Sequence, residues 1–114
     1  MPFIHTRVNR PIDAETEKKL SQALRQAISL LPGKSESWLM LQFEDNCRLY
    51  FKGDSQKPLA FVNVKLYGAA DDADCEALTR EITRILQDEM GVAPDGVYVE
   101  YDETNHWGWR GVHF

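Results

Sequence analysis

FIHTRV at Phe3–Val8 and FVNVKLY at Phe61–Tyr67 are the same strand written twice, 58 positions apart. With that shift the two halves of the chain stay in register without a gap from Phe3 to Thr104. Asp13 meets Asp71, Leu20 meets Leu78, Gly33 meets Gly91, and Arg7/Lys65, Leu24/Ile82, Phe43/Tyr101 and Glu44/Asp102 keep their chemical character. Such self-similarity marks a repeated supersecondary unit. Each copy opens on an alternating run, continues through a helical pattern and closes on a second alternating run, Trp38–Phe43 in the first and Val97–Tyr101 in the second. Period-2 alternation reads as strand and the i, i+3, i+4 spacing as helix, so each copy is a β-α-β unit.

The first helix opens at Asp13, a good N-cap, and places Leu20, Ala23, Leu24, Ala27, Ile28 and Leu31 on one face before Pro32-Gly33 stops it. The second opens within Asp71–Asp74, carries Leu78, Ile82, Ile85, Leu86 and Met90, and stops at Gly91. Between the copies Arg48–Lys52 reads as a short strand and Gly53-Asp54-Ser55 as a turn. His106–Phe114 reads as an aromatic-rich extension. The expectation is an α+β (α/β) fold: two β-α-β pseudo-repeats, about 2–46 and 60–104, forming a four-stranded mixed sheet with both helices on one face. Residues 1–114 form a single domain in this reading.

Strand alternation assigns Ile4, Thr6, Val8, Leu39, Leu41, Phe43, Val62, Val64, Leu66, Val97, Val99 and Tyr101 to the face beneath the helices. The opposite face carries Phe3, His5, Arg7, Met40, Gln42, Phe61, Asn63, Lys65, Tyr67, Tyr98 and Glu100. It is too apolar to stay in water and too polar for a dry core. With no third helix to cover it, further copies of the chain are the expected cover, and a site between subunits follows.

The 13 basic residues against 18 acidic ones, net −5, with no Lys/Arg run, argue against nucleic acid or anionic membrane as partner. The start of the chain lacks the about 7–15-residue apolar stretch of a signal peptide, and no segment reaches the about 18 apolar residues of a membrane span. The expected location is the cytoplasm. Cys47 and Cys75 lack metal-ligand spacing and read as reduced, buried thiols without redox work, while His5, His106 and His113 form no metal set and have no nucleophile to assist. No metal and no cofactor are expected.

Met1-Pro2-Phe3-Ile4, Gly33-Lys34 after the first helix, Pro94-Asp95 before Val97-Tyr98, and Gly108-Trp109 with Phe114 near the end, on top of the repeat, resemble the macrophage migration inhibitory factor (MIF) family of the tautomerase superfamily. The resemblance spans the whole chain. It implies a homotrimer whose sheets enclose a central channel, with active sites at subunit boundaries, and a cofactor-independent keto-enol tautomerase of small aromatic α-keto acids such as phenylpyruvate.

Residue by residue, it makes Pro2 the general base once Met1 is removed, since a desolvated secondary amine near positive charge loses basicity and works near neutral pH. While Met1 remains, that nitrogen is an amide and cannot act. Lys34 corresponds to the residue that binds the substrate acid; read alone, it is a lysine suited to a helix C-terminus. Tyr67 stands where the family presents a backbone N–H from an aliphatic residue. Lys65 replaces a frequent His and reads equally as a second cation or a channel-lining charge. Tyr98 matches a wall residue supplied by the adjacent subunit, and Glu100 replaces an Asn that meets the far end of an aromatic substrate. Trp38 replaces a Tyr at the pocket rim, and Trp109 and Phe114 match aromatic walls, with Trp107 as added bulk; such a cluster also reads as plain packing.

Two other readings stand beside this one. One is a MIF-like cytokine or interaction module with vestigial tautomerase activity. The other is a hydrolytic dehalogenase or decarboxylase, for which Arg7, Lys65 and Glu100 share one face but no paired-arginine motif is present.

Overall fold

The structure, a computed structural model, describes residues 1–114. Four strands form one mixed sheet in the order β2-β1-β3-β4: β1 (Pro2–Val8), β2 (Met40–Glu44), β3 (Ala60–Tyr67) and β4 (Val97–Thr104). Helix α1 (Ala14–Ala27) connects β1 to its parallel partner β2, and α2 (Asp72–Met90) connects β3 to β4 in the same way. Antiparallel pairing of β1 with β3 joins the two units at the centre. The pairing register carries the repeat into three dimensions: Phe3 faces Met40 in the first unit and Phe61 faces Tyr98 in the second, the same pair displaced by 58 positions.

Asp13 caps α1 as expected, its Oδ1 accepting from the Thr16 N–H at 2.7 Å. The regular helix ends at Ala27, earlier than the apolar pattern implies, and Ile28–Leu30 tighten into a 3-10 turn before Pro32. Both helices lie on one face of the sheet. Leu20, Leu24 and Ile28 from the first and Leu78, Ile82, Ile85 and Leu86 from the second are buried against Ile4, Val8, Val62, Val64 and Leu66. At about 1.5–3 kcal/mol per buried aliphatic side chain, this layer is the main force holding helices to sheet.

Three local expectations need correcting. Arg48–Lys52 is not a strand: only an isolated Phe51/Asp54 bridge closes there, around a turn with Lys52 and Gly53 at φ of 54° and 76°. Its Phe51 packs on Tyr98 of the edge strand β4 by the side chain, without a ladder between the backbones. Trp38 does not begin a strand either, because Ser35 caps a 3-10 turn, Glu36–Trp38, by accepting from the Ser37 N–H at 3.1 Å, and β2 starts at Met40. The tail is more than an extension, since β5 (Gly108–Trp109) and β6 (Val112–His113) form a small hairpin. Cys47 and Cys75 are half-buried, not core residues. Burial first, then acidic neighbours led by Glu44 and Glu103 respectively, push both thiols up and keep them protonated.

Candidate active site

The beginning of β1 converges with the end of β3, because antiparallel pairing sets Pro2 opposite Leu66 and brings Met1 beside Tyr67. The Tyr67 N–H donates to the Met1 carbonyl at 3.2 Å. The Lys34 ammonium donates to the Tyr67 carbonyl at 2.7 Å, having been returned toward the sheet by the turn after α1. Both backbone polar groups of Tyr67 are thus engaged beside the chain start. Burial, and then the Lys34 charge, hold the amine of Met1 below its ordinary value of 8.0.

Aromatic rings continue from this corner. Tyr67 packs on Phe114 at 5.8 Å between centroids, Phe114 on Trp109 at 6.5 Å, and Trp109 meets Trp38 edge-to-face at 4.7 Å. Trp38, Trp109 and Phe114 remain 43–48% exposed, so the rings touch one another yet leave one side open, as walls do. The Arg110 guanidinium lies over the Trp109 ring at 5.1 Å.

Pro2, Lys34, Tyr67, Trp38, Trp109 and Phe114 therefore come together within one chain. Tyr98 and Glu100 do not. Tyr98 pairs with Phe61, six residues along β3 from Tyr67, a separation of about 20 Å at the rise of a strand. It is 58% exposed, meets Phe51 and Phe61 edge-to-face, and lines a shallow groove with Ala60 and Gly96. Lys65 lies between the two ends on the helix-free face and is held by Asp102 at 3.1 Å. Two residues that the sequence reading placed on this face without a role hold its carboxylates: His5, whose Nε2 lies 2.8 Å from Glu44, and Asn63, which bonds both Glu100 and Asp102. The repeat itself signals them, as His5 and Asn63 are equivalent positions facing each other at the centre of the β1/β3 ladder.

The sequence model of the family described as "Macrophage migration inhibitory factor (MIF)" matches residues 1–114. The chain belongs to the MIF family. Among its relatives, rat macrophage migration inhibitory factor is 26% identical over 116 aligned positions, spanning all of this chain and 99% of its own length. MIF2 of Leishmania major is 31% identical, with a TM-score of 0.93 over all of this chain and 97% of that one. At 16% identity, Pt0534, whose crystal structure was obtained after inactivation by 2-oxo-3-pentynoate, shares the fold alone, with a TM-score of 0.82 over 97% of this chain and 95% of that one. The four-stranded mixed sheet with two helices is the MIF fold. No helix of this MIF-family chain is long and apolar enough to cross a membrane.

Proposed function

We propose that the chain, once freed of Met1, is a cofactor-independent keto-enol tautomerase of small aromatic 2-oxo acids such as phenylpyruvate, with Pro2 as general base. The observation that carries this reading is the backbone of Tyr67, whose N–H holds an acceptor oxygen of Met1 beside Pro2 while its carbonyl steers Lys34. Removing Met1 converts the Pro2 nitrogen from an amide to a secondary amine and releases the Tyr67 N–H. A substrate carboxylate then takes that N–H and the Lys34 ammonium, and the ring lies among Trp38, Trp109 and Phe114. Pro2 removes a proton from C3, the C–H pair becomes the C2–C3 double bond, and the carbonyl oxygen takes a proton to give the enol. The reverse sequence returns the ketone. Burial, and then the Lys34 charge, lower the basicity of an amine at this corner, because both disfavour the charged form.

In this reading three copies assemble, and a neighbour supplies Tyr98 and Glu100 to the Pro2 corner. The support is the helix-free face, together with Met40 and Tyr98 on the two edge strands, 66% and 58% exposed. Light scattering of concentrated protein is expected to give about three times 13.1 kDa. The decisive assay is loss of enol absorbance from phenylpyruvate, with intact mass establishing that Met1 is absent. A trimer that lacks Met1 and leaves the uncatalysed rate unchanged refutes the reading. The 2-oxo-3-alkynoate that inactivates the fold relative offers an independent probe. Conjugate addition of the Pro2 amine to its alkyne, the amine proton ending on carbon, leaves a mass increment on the N-terminal peptide.

A second reading, a partner-binding protein with a vestigial site, draws on the full-length match to rat macrophage migration inhibitory factor. It gains ground if the Met1-free trimer is inert toward 2-oxo acids.

A further inference from the structure

The repeat gives the polar face of the sheet an internal control. His5 and Asn63 pair across β1 and β3, so a local twofold axis passes between them, and the charges on either side obey it. In the first copy Glu44 lies 2.8 Å from His5 and 3.8 Å from Arg7. In the second, the equivalent Asp102 accepts from Asn63 at 3.0 Å and from Lys65 at 3.1 Å. Each copy thus sets one carboxylate against one permanent cation.

Glu100 breaks the pattern. Its counterpart in the first copy is the neutral Gln42, and the two cations that share its face, Lys65 and Arg7, pair with Asp102 and Glu44. The side chain of Glu100 is on an exposed residue, and its one hydrogen bond comes from Nδ2 of Asn63 to Oε1 at 3.1 Å. Asn63 is only 5% exposed and divides its amide hydrogens between Glu100 and Asp102, so it holds the two carboxylates two residues apart on one strand. A carboxylate offers about four acceptor sites. Glu100 fills one of them, with a second negative charge alongside and no cation of its own. What it lacks is a donor, and a cationic donor serves best.

We infer that Glu100, oriented by Asn63, makes the site prefer 2-oxo acids whose end remote from the carboxylate carries a cation or an N–H donor, and that Asn63 is a positioning residue for this selection. The inference rests on the reading above, in which Glu100 of a neighbouring copy meets the far end of a ligand whose carboxylate is held at Lys34. The two ends of the site then carry opposite charge, which selects a ligand by its polarity along its length. A far-end carboxylate meets repulsion, and an unsubstituted ring leaves Glu100 unsatisfied.

The test is equilibrium binding, which needs no turnover. Fluorescence of Trp38 and Trp109 reports the binding of four 3-phenylpropionates bearing aminomethyl, hydroxyl, hydrogen or carboxylate at the para position. The wild-type trimer is expected to bind the aminomethyl probe about tenfold or more tighter than the unsubstituted one, and the carboxylate probe weakest. Glu100→Gln, which copies what the first repeat carries at Gln42, is expected to bring the aminomethyl-to-carboxylate ratio within about threefold. Asn63→Leu is expected to narrow the same ratio without weakening the unsubstituted probe, and Asn63→Ser serves if the buried leucine prevents folding. A wild type that ranks the probes by hydrophobicity, or a ratio that survives Glu100→Gln, overturns the inference; a ratio unmoved by either Asn63 variant overturns the part given to Asn63. If the ranking holds but phenylpyruvate is not tautomerised, the catalytic reading fails and the recognition stands; if phenylpyruvate turns over and the ranking is absent, the reverse follows.

Discussion

Replacing Lys34 with alanine separates binding of the substrate acid from every other contribution to the proposed site. The ammonium reaches the Tyr67 carbonyl at 2.7 Å in a half-buried setting, close enough to the freed Tyr67 N–H to share one carboxylate with it. A hydrogen bond to a charged group contributes about 1.5–3 kcal/mol, so a 2-oxo acid is expected to lose about 10- to 100-fold in affinity. Phenylacetone, which keeps the ring and ketone but lacks the carboxylate, is expected to change by less than about threefold. The variant has a second consequence through charge. Lys34 lowers the amine at the chain start, so its removal raises that amine, and the base stays protonated to higher pH. The acidic limb of the kcat/KM profile therefore moves upward in Lys34→Ala, though only in part, because burial is the larger cause and persists. Titration calorimetry with both ligands and a pH-rate profile on Met1-free protein read the two effects. Equal weakening of acid and ketone, or an acidic limb that does not move, refutes the role given to Lys34.

Three further outcomes are expected. Pro2→Gly, a primary and more mobile amine, should lose about a hundredfold or more in enol turnover yet outrun protein that retains Met1, as followed by ultraviolet absorbance with the trimer intact. Tyr101→Phe removes a hydroxyl that lies 2.9 Å from Thr79 Oγ1 and donates to the Cys75 carbonyl at 2.9 Å; urea unfolding at neutral pH should show a loss of about 1–2 kcal/mol. Burial raises the Tyr101 hydroxyl above 10.0, so its stabilisation is complete below that pH and is lost as pH climbs through the folded value. Alkaline unfolding should accordingly be shallower in Tyr101→Phe than in the wild type.

Where the sequence was legible, and where it was not, follows from how far each signal reaches. The 58-position shift carried element type and the two-unit build; the structure adds strand order and register, and the units pair alike, Phe3 with Met40 and Phe61 with Tyr98. Helix α1 was legible at Asp13, whose cap is local, and blurred at Ile28–Leu30, where apolar spacing continues while the backbone tightens. Arg48–Lys52 has strand-like residues, but a strand needs a neighbour, and no local pattern reports one. The tail hairpin was missed: it turns on Arg110-Gly111, at φ of 56° and 79° between Trp109 and Val112, and the sequence reading drew no turn from that pair. Of the candidate site, the Lys34–Tyr67 corner depends on strand ends that the repeat defines. The bond from Asn63 to Glu100 depends on side-chain reach across the β3/β4 ladder, and alternation alone does not supply it.

Two corners of the sheet are equivalent under the repeat, and only one of them can hold a terminal amine. The counterparts of Pro2, Lys34 and Trp38 are Ala60, Val92 and Gly96. A base that exists only at a chain terminus is not copied by tandem duplication, since joining the units locks the second one's first nitrogen into a peptide bond. In the proposed trimer three full chains carry three such termini, where six separate half-length chains would carry six. The silent corner keeps a groove lined by Ala60 and Gly96, but a Cβ built on Gly96 would sit 2.8 Å from the Pro58 carbonyl, so no side chain replaces that glycine until the segment leading into β3 gives way.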